Sequence, residues 1–176
     1  SVMLSMGDYA ASAGGYISPP AAYIFAEPTT ITGSIGVAIA LPTLENAMDY
    51  IGVNFDGVVT SKYGGWDPTQ AIDDDLDKIF ASWGAAAYDR FVNIVAESRS
   101  QSYEDIKEIA GGRVWIATSA KEKGLVDEIG GIENAITYAA KLAELEDYKV
   151  EYYGEELSPK ELLLKELIDN FDVSVG

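Results

Sequence analysis

The chain has 176 residues, of which 48% are hydrophobic, and it carries a formal net charge of −17 with no cysteine and no histidine. This composition predicts a single globular domain over residues 1–176, and it excludes disulfides, thiolate metal sites and a Ser-His-Asp triad built within the chain. So negative a net charge also argues against nucleic-acid binding, which needs a positively charged surface.

Positive charge is unevenly distributed along the chain. Residues 1–61 contain no lysine or arginine, and the first cation is Lys62. We expect the first third to form the buried, strand-rich part of the domain and the remainder to form charged helices with solvated faces. No apolar run approaches the ~20 residues that span a bilayer. The segment is therefore predicted to be soluble, and any membrane anchor would lie in a segment absent from it.

The first predicted strand, Val2–Met6, leads through a Met-Gly-Asp turn to a stretch of very small residues around Ser12. A helix is predicted to follow Ser12 and to stop at Pro19-Pro20, because proline cannot continue it. Several hydrolase folds expose a serine nucleophile in this way, between a strand and a helix of small residues. The residues alone leave a structural alternative open, in which Ser12 caps the helix or permits close packing.

Short strands and helices alternate along the rest of the chain. A strand is predicted at Tyr23–Ala26, a tight loop at Gly33–Gly36 and a helix that begins at Pro42. The remaining predicted elements are strands at Phe55–Thr60, Val114–Ile116, near Leu125–Asp127 and at Lys149–Tyr153, and helices at Ile72–Arg99, Tyr103–Ala110, Ile132–Leu145 and Pro159–Asn170. This alternation is typical of an α/β fold with a mainly parallel sheet flanked by helices.

Three consecutive acids, Asp73 to Asp75, stand at the start of the longest predicted helix. They lack the spaced oxygen ligands and the glycine of a calcium-binding loop. We interpret them as acids that complement the positive end of the helix dipole. No metal site and no cofactor are predicted.

Four segments resemble the signal peptide peptidase A family. They are Ser5–Ser18 with Met-Gly-Asp-Tyr-Ala-Ala-Ser, Pro28–Val37 with Thr-Gly-Ser-Ile-Gly, Gly112–Trp115, and Ala120–Gly130 with Gly-Leu-Val-Asp. The Gly-Leu-Val-Asp element is shared with ClpP and the crotonases and indicates fold alone, whereas the first two segments are far more specific. The resemblance covers nearly the whole chain and fades after about residue 153. It implies a ClpP/crotonase-like fold and a serine endopeptidase with a Ser/Lys dyad, which degrades cleaved signal peptides and other extended apolar peptides.

The resemblance also implies roles for individual residues. Ser12 would be the nucleophile, the backbone N–H of Ala13 would form part of the oxyanion hole, and Ser34 would orient a neutral lysine amine that acts as the base. A lysine pKa lies near 10.4 in water, so burial must lower it for the amine to work near neutrality. Asp8 is expected to point away from the site and to accept hydrogen bonds from turn amides, because a carboxylate beside the lysine would raise the lysine pKa.

The resemblance leaves the identity of the base open. Lys62 follows the strand after Ser34, but short members of the family carry their lysine about two residues further along, where this chain has Gly64. Residues 56–61, and Trp115 with residues 148–153, look more like the carboxyl-terminal half of the long tandem form. The amino-terminal half of that form supplies the lysine. We therefore expect the base to come from a domain absent from this chain, with Lys62 as the less favoured candidate. The chain would then be a truncated version of the domain and inactive by itself.

The partners implied by the resemblance are a peptide substrate and further copies of the chain in a homo-oligomer. The implied location is the bacterial cell envelope, with a membrane-associated protease whose catalytic domain faces the periplasm. Two other functions share this fold. A crotonase-like acyl-CoA enzyme is disfavoured because coenzyme A carries phosphates and residues 1–61 offer no cation. A non-catalytic ClpP-like scaffold is the other alternative.

Overall fold

A computed structural model describes residues 1–64 and 66–153. Contacts within the chain divide it into two units, Ser1–Glu144 and Leu145–Gly176. The helices and strands given below lie in the first unit. That all 176 residues form one domain stays a prediction.

The described residues form two three-stranded sheets. In the first sheet, β1 (Met3–Met6), β3 (Tyr23–Ala26) and β6 (Glu128–Ile129) are parallel, with β3 in the centre. In the second sheet, β2 (Tyr9–Ala11) runs parallel to β4 (Ile31–Gly33), and β4 pairs antiparallel with β5 (Val114–Ile116). The predicted α/β class with a mainly parallel sheet is confirmed.

Six helices accompany these sheets in the described part of the chain. They are α1 (Ala13–Ile17), α2 (Glu45–Tyr50), α3 (Asp74–Arg99), α4 (Tyr103–Ile109), α5 (Ala117–Glu122) and α6 (Ile132–Leu142). The second half of α3 buries one face, which includes Phe91, Val92 and Val95, in a core shared with Ile106 of α4 and Ile24 of β3. Full burial of each such side chain stabilises the fold by about 1.5–3 kcal/mol, so this core fixes α3 against the sheet.

The acids that begin α3 have the structural role expected from the sequence. Asp73 is the N-cap, and its Oδ1 accepts a hydrogen bond from the backbone N–H of Leu76 at 2.8 Å. That bond lowers the pKa of Asp73 below its usual value. Asp74 and Asp75 lie in the first turn, where negative charge offsets the helix dipole. No group of three His, Cys, Asp or Glu side chains in residues 1–64 and 66–153 is placed to hold a metal ion.

Most predicted elements are present, and the differences are informative. Neither Phe55–Thr60 nor Lys149–Tyr153 is a strand, so both predictions are wrong. Phe55–Thr60 has no paired strand among the described residues, and its Val58 side chain is 99% exposed. The strand predicted near Leu125–Asp127 lies slightly later, at β6. The strands β2 and β4 and the helix α5 were not predicted, and the helix predicted at Pro159–Asn170 lies outside the described residues.

Candidate active site

Ser12 occupies a sharp turn between β2, which ends at Ala11, and α1, which begins at Ala13. Its backbone has φ 51° and ψ −106°, a conformation that L-residues rarely adopt. The turn is held by two backbone hydrogen bonds, from the Ser12 N–H to the Gly33 carbonyl at 2.9 Å and from the Tyr16 N–H to the Ser12 carbonyl at 2.9 Å. A strained serine between a strand and a helix is the arrangement that exposes a nucleophile in hydrolases.

Ser34 lies beside Ser12 because of the register of the second sheet. Ala11 pairs with Gly33, so Ser12 and Ser34 each follow the last paired residue of adjacent parallel strands. Such strands lie about 4.8 Å apart, and their carboxyl ends share one edge of the sheet. Ser34 also has a positive φ of 51°, and its N–H donates to the Arg113 carbonyl at 2.7 Å. The structure therefore brings together the two serines that the sequence selected.

Two open grooves meet at Ser12. The first, of about 650 Å³, runs between α1 and α3 and is lined by Ser12, Tyr16, Trp83, Arg90 and Phe91 among others. The second, of about 530 Å³, is lined by Ser12 and Ser34 together with Gly111 and Gly112. Gly36 and Val37 line both grooves. Ser12 is exposed, so a bound chain can approach its hydroxyl from either side.

The two serine hydroxyls make no competing interaction with the part of the chain that the structure describes. Neither the Ser12 Oγ nor the Ser34 Oγ has a hydrogen-bond partner among residues 1–64 and 66–153. The Ala13 N–H begins α1 and therefore has no acceptor within that helix. The φ of Ala13 is not in the positive region, so its methyl group imposes no backbone strain there. The first groove is lined by Ala13 as well as by Ser12.

Asp8 meets one part of the sequence prediction and not the other. Its side chain is exposed and is not among the residues that line the two grooves, as expected. Its carboxylate accepts no hydrogen bond from a turn amide in the described part of the chain, so that part of the prediction is wrong. The backbone carbonyl of Asp8 instead accepts from the Ile31 N–H at 2.8 Å, which extends the pairing of β2 with β4.

Lys62 lies in an ion-pair cluster at the start of α3. Its Nζ is 2.8 Å from the Asp75 Oδ2 and 3.7 Å from the Asp73 Oδ2, and the side chain is 62% exposed. The hydrogen bond to Asp75 raises the pKa of Lys62 and so favours the protonated amine, the form that cannot accept a proton from a serine. Lys62 is not among the residues that line either groove at Ser12.

Gly33 is the residue on which the geometry of the site depends most directly. It has φ +79°, and an added Cβ would lie 2.8 Å from the Trp115 Cδ1 and 2.9 Å from the Arg113 carbonyl oxygen. We expect Gly33→Ala to lower the free energy of unfolding by about 2–4 kcal/mol, because backbone strain and overpacking add. It should also slow reactions at Ser12, whose N–H donates to the Gly33 carbonyl.

Gly52→Ala is a matched control for Gly33→Ala. Gly52 has a similar φ of +72°, but nothing lies within 4 Å of an added Cβ. It should therefore show the backbone cost alone, about 1 kcal/mol, and leave Ser12 unaffected. Chemical denaturation of both variants measures the difference. Equal losses of stability would show that Trp115 and Arg113 do not confine Gly33.

Sequence reasoning missed two contributions to the site. Gly111 and Gly112 have positive φ values of 69° and 75° and line the second groove, and the Gly112 N–H donates to the Ile35 carbonyl at 3.0 Å. The Gly-Gly pair was the available signal, because such pairs mark backbone that adopts unusual conformations. The other contribution is Arg90 of α3, which no motif indicated.

An exposed serine on a strained strand-to-helix turn, at the junction of two grooves, is the arrangement found at the active sites of serine hydrolases. The model of peptidase family S49 matches residues 1–146. The chain is 41% identical over 155 residues to Protease 4 of Salmonella typhi, covering 88% of this chain and 25% of that protein. It is 37% identical over 161 residues to Protease 4 of Haemophilus influenzae, covering 88% of this chain and 26% of that one.

A putative signal peptide peptidase SppA of Enterococcus faecium is 37% identical over 148 residues, which are 82% of this chain and 42% of that protein. Among solved structures, a ClpP1 mutant from Listeria monocytogenes matches with a TM-score of 0.45 and 18% identity, over 77% of this chain and 59% of that one. The chain belongs to peptidase family S49. It spans about a quarter of the length of the two Protease 4 relatives.

Proposed function

We propose that this chain supplies the nucleophile of a Ser/Lys-dyad endopeptidase. Ser12 attacks the peptide carbonyl, and a neutral lysine amine accepts the Ser12 proton and then passes it to the leaving amine. The Ala13 N–H donates to the oxyanion, and the Ser34 hydroxyl orients the lysine. The observation that carries the proposal is the exposed Ser12 at φ 51°, adjacent to Ser34 and open to both grooves.

The proposal takes the lysine from a domain that is not part of residues 1–176, as the family resemblance implies. Within them, Lys62 is the sequence candidate, and its amine is paired with Asp75. The Ser12 and Ser34 hydroxyls have no hydrogen-bond partner among the described residues, so both are available to such a lysine. We call the protein that contains this chain together with a lysine-bearing segment the complete protease. The isolated chain should then hydrolyse peptides very slowly or not at all.

The substrates proposed are extended, largely apolar peptides, among them cleaved signal peptides. The first groove supports this, because Tyr16, Trp83 and Phe91 give it an aromatic lining. None of the helices formed by residues 1–64 and 66–153 combines the length and apolar character needed to cross a bilayer. We propose a homo-oligomeric protease of the bacterial cell envelope, membrane-associated through another segment and facing the periplasm.

Labelling with a fluorophosphonate probe tests the proposed nucleophile. In the complete protease the probe should modify Ser12, as identified by peptide mass spectrometry, and Ser12→Ala should abolish labelling. Ser34→Ala should slow labelling about tenfold, because one hydrogen bond to the lysine is lost. Labelling that persists in Ser12→Ala would contradict the assignment.

Lys62→Gln separates the two possible sources of the base. If the lysine comes from outside the described residues, the labelling rate of Lys62→Gln should match that of the unmodified protein. Loss of labelling with an unchanged thermal unfolding curve would instead make Lys62 the base. Ser12-dependent hydrolysis by the isolated chain would show that the base is a lysine of this chain, with Lys62 as the first candidate.

A further inference from the structure

One face of α3 forms a wall of the first groove at Ser12. Trp83, Ala86, Ala87 and Arg90 line that groove and recur at spacings of three and four, so they lie on one side of the helix. Phe91 lies next to this face and contacts Tyr16 of α1, with ring centroids 5.0 Å apart in an edge-on geometry. This wall of the groove is apolar except at Arg90, and Phe91 packs it against α1.

Arg90 has no carboxylate partner among residues 1–64 and 66–153. The other two arginines are engaged, since Arg99 pairs with Asp127, and Arg113 donates to the Glu108 carbonyl at 2.7 Å. The adjacent Asp89 is also occupied, because its Oδ1 accepts a hydrogen bond from the Tyr103 hydroxyl at 2.6 Å. In a chain of net charge −17, an unpaired guanidinium at the edge of the active-site groove is available for an anionic group of a ligand.

We propose that Arg90 binds a carboxylate of the peptide substrate and so determines specificity in the groove that begins at Ser12. This inference rests on the proposed function, because it takes the occupant of the groove to be a peptide. A guanidinium fork matches a carboxylate in two parallel hydrogen bonds, which an exposed lysine does not provide. The carboxylate is either the free carboxyl terminus of a peptide fragment or an acidic side chain within it.

The test measures binding of matched peptides to the 176-residue chain. One pair of N-acetylated apolar pentapeptides of alanine and leucine ends in a free carboxylate or in an amide. A second pair ends in an amide and carries glutamate or glutamine at its centre. Titration calorimetry should give about tenfold tighter binding for the carboxylate member of at least one pair, consistent with one charge-assisted bidentate contact. Whichever pair shows the preference identifies the source of the carboxylate.

Arg90→Gln should reduce the ratio of the two affinities within a pair to about one, and Arg90→Lys should keep only a small part of the tenfold preference. Lys78→Gln is the matched control, because Lys78 is also an exposed cation of α3 but pairs with Asp75 at 3.6 Å and is not among the residues that line the groove. If Lys78→Gln lowers the preference equally, the effect comes from the overall charge and the proposal fails. The net charge of −17 opposes binding of an anionic peptide, so a preference for it must come from a local contact.

The remaining outcomes also decide the proposal. Equal affinity within both pairs, or no binding of any peptide by a chain with a normal thermal unfolding curve, would overturn it. A change of oligomeric state in Arg90→Gln without a change in peptide preference would show that Arg90 binds a second copy, which also overturns it. Fluorophosphonate labelling of Ser12 reports separately on the proposed function, so failure of one inference is distinguishable from failure of the other.

Discussion

Ser12→Ala is expected to lower kcat for peptide hydrolysis by the complete protease at least about a thousandfold, because the proposed acyl intermediate forms on the Ser12 Oγ. Stability should change little, since the Ser12 hydroxyl has no hydrogen-bond partner among the described residues and the side chain is exposed. Hydrolysis of a chromogenic peptide ester and thermal unfolding measure the two effects. Retention of more than a tenth of the activity would remove Ser12 from the mechanism.

Ser12→Gly tests whether the backbone strain at this position serves function. Glycine adopts φ 51° without steric cost, so the variant should lose as much activity as Ser12→Ala and gain about 1 kcal/mol in the free energy of unfolding. Ser34→Gly is a useful comparison, because Ser34 has the same φ and should show a similar gain in stability. A Ser12→Gly variant no more stable than Ser12→Ala would show that the turn is not strained.

The sequence predicted the two serines of the site but not what holds them together. Ser12 and Ser34 were found through short motifs. The strands that place them side by side, β2 and β4, have only three residues each, and β2 contains Tyr-Ala-Ala, a weak strand former. These strands exist because Tyr9–Ala11 pairs with Ile31–Gly33, a contact between distant parts of the chain. Local pattern cannot show such a pairing.

The same physical reason explains why the strand predicted at Phe55–Thr60 is absent from the structure. Its sequence has a local preference for extended structure, but a strand is stable only when a neighbour completes its hydrogen bonds. The long helix α3 was predicted within two residues, because its apolar spacing is a local property. That spacing identified Phe91 as part of the buried face. It did not reveal that the adjacent face, with Arg90, lines the groove at Ser12, because this depends on the position of α1.

An ion pair between Arg99 and Asp127 fixes the end of α3. Outside the candidate active site, we expect the loss of this pair to lower the free energy of unfolding more than any other substitution proposed for this chain. The Arg99 guanidinium pairs with both oxygens of Asp127, and its Nε donates to the Gly124 carbonyl at 2.7 Å. The Asp127 Oδ2 also accepts from the Ile24 N–H at 2.7 Å, at the centre of the first sheet. The side chains are only 12% and 23% exposed, so water cannot replace these bonds well.

Asp127→Asn should therefore lower the free energy of unfolding by about 3 kcal/mol, because it leaves the Arg99 charge partly buried without a counter-ion. For a chain of this size, that loss corresponds to a fall in Tm of about 6–12 °C. Arg99→Met should have a similar effect. The double variant should cost clearly less than the sum of the two, since the partners act as one unit.

The Lys121–Glu128 pair is the matched control. It involves the residue next to Asp127 and has a short contact of 2.8 Å, but its side chains are 41% and 48% exposed. Exposed pairs gain little from their contact because water and salt screen the charges. Glu128→Gln should therefore leave the urea unfolding midpoint nearly unchanged under conditions where Asp127→Asn shifts it strongly. Two results would show that burial of this ion pair does not anchor α3 to the sheet. One is additive losses of stability in the double-mutant cycle of Arg99→Met and Asp127→Asn. The other is a Glu128→Gln variant as unstable as Asp127→Asn.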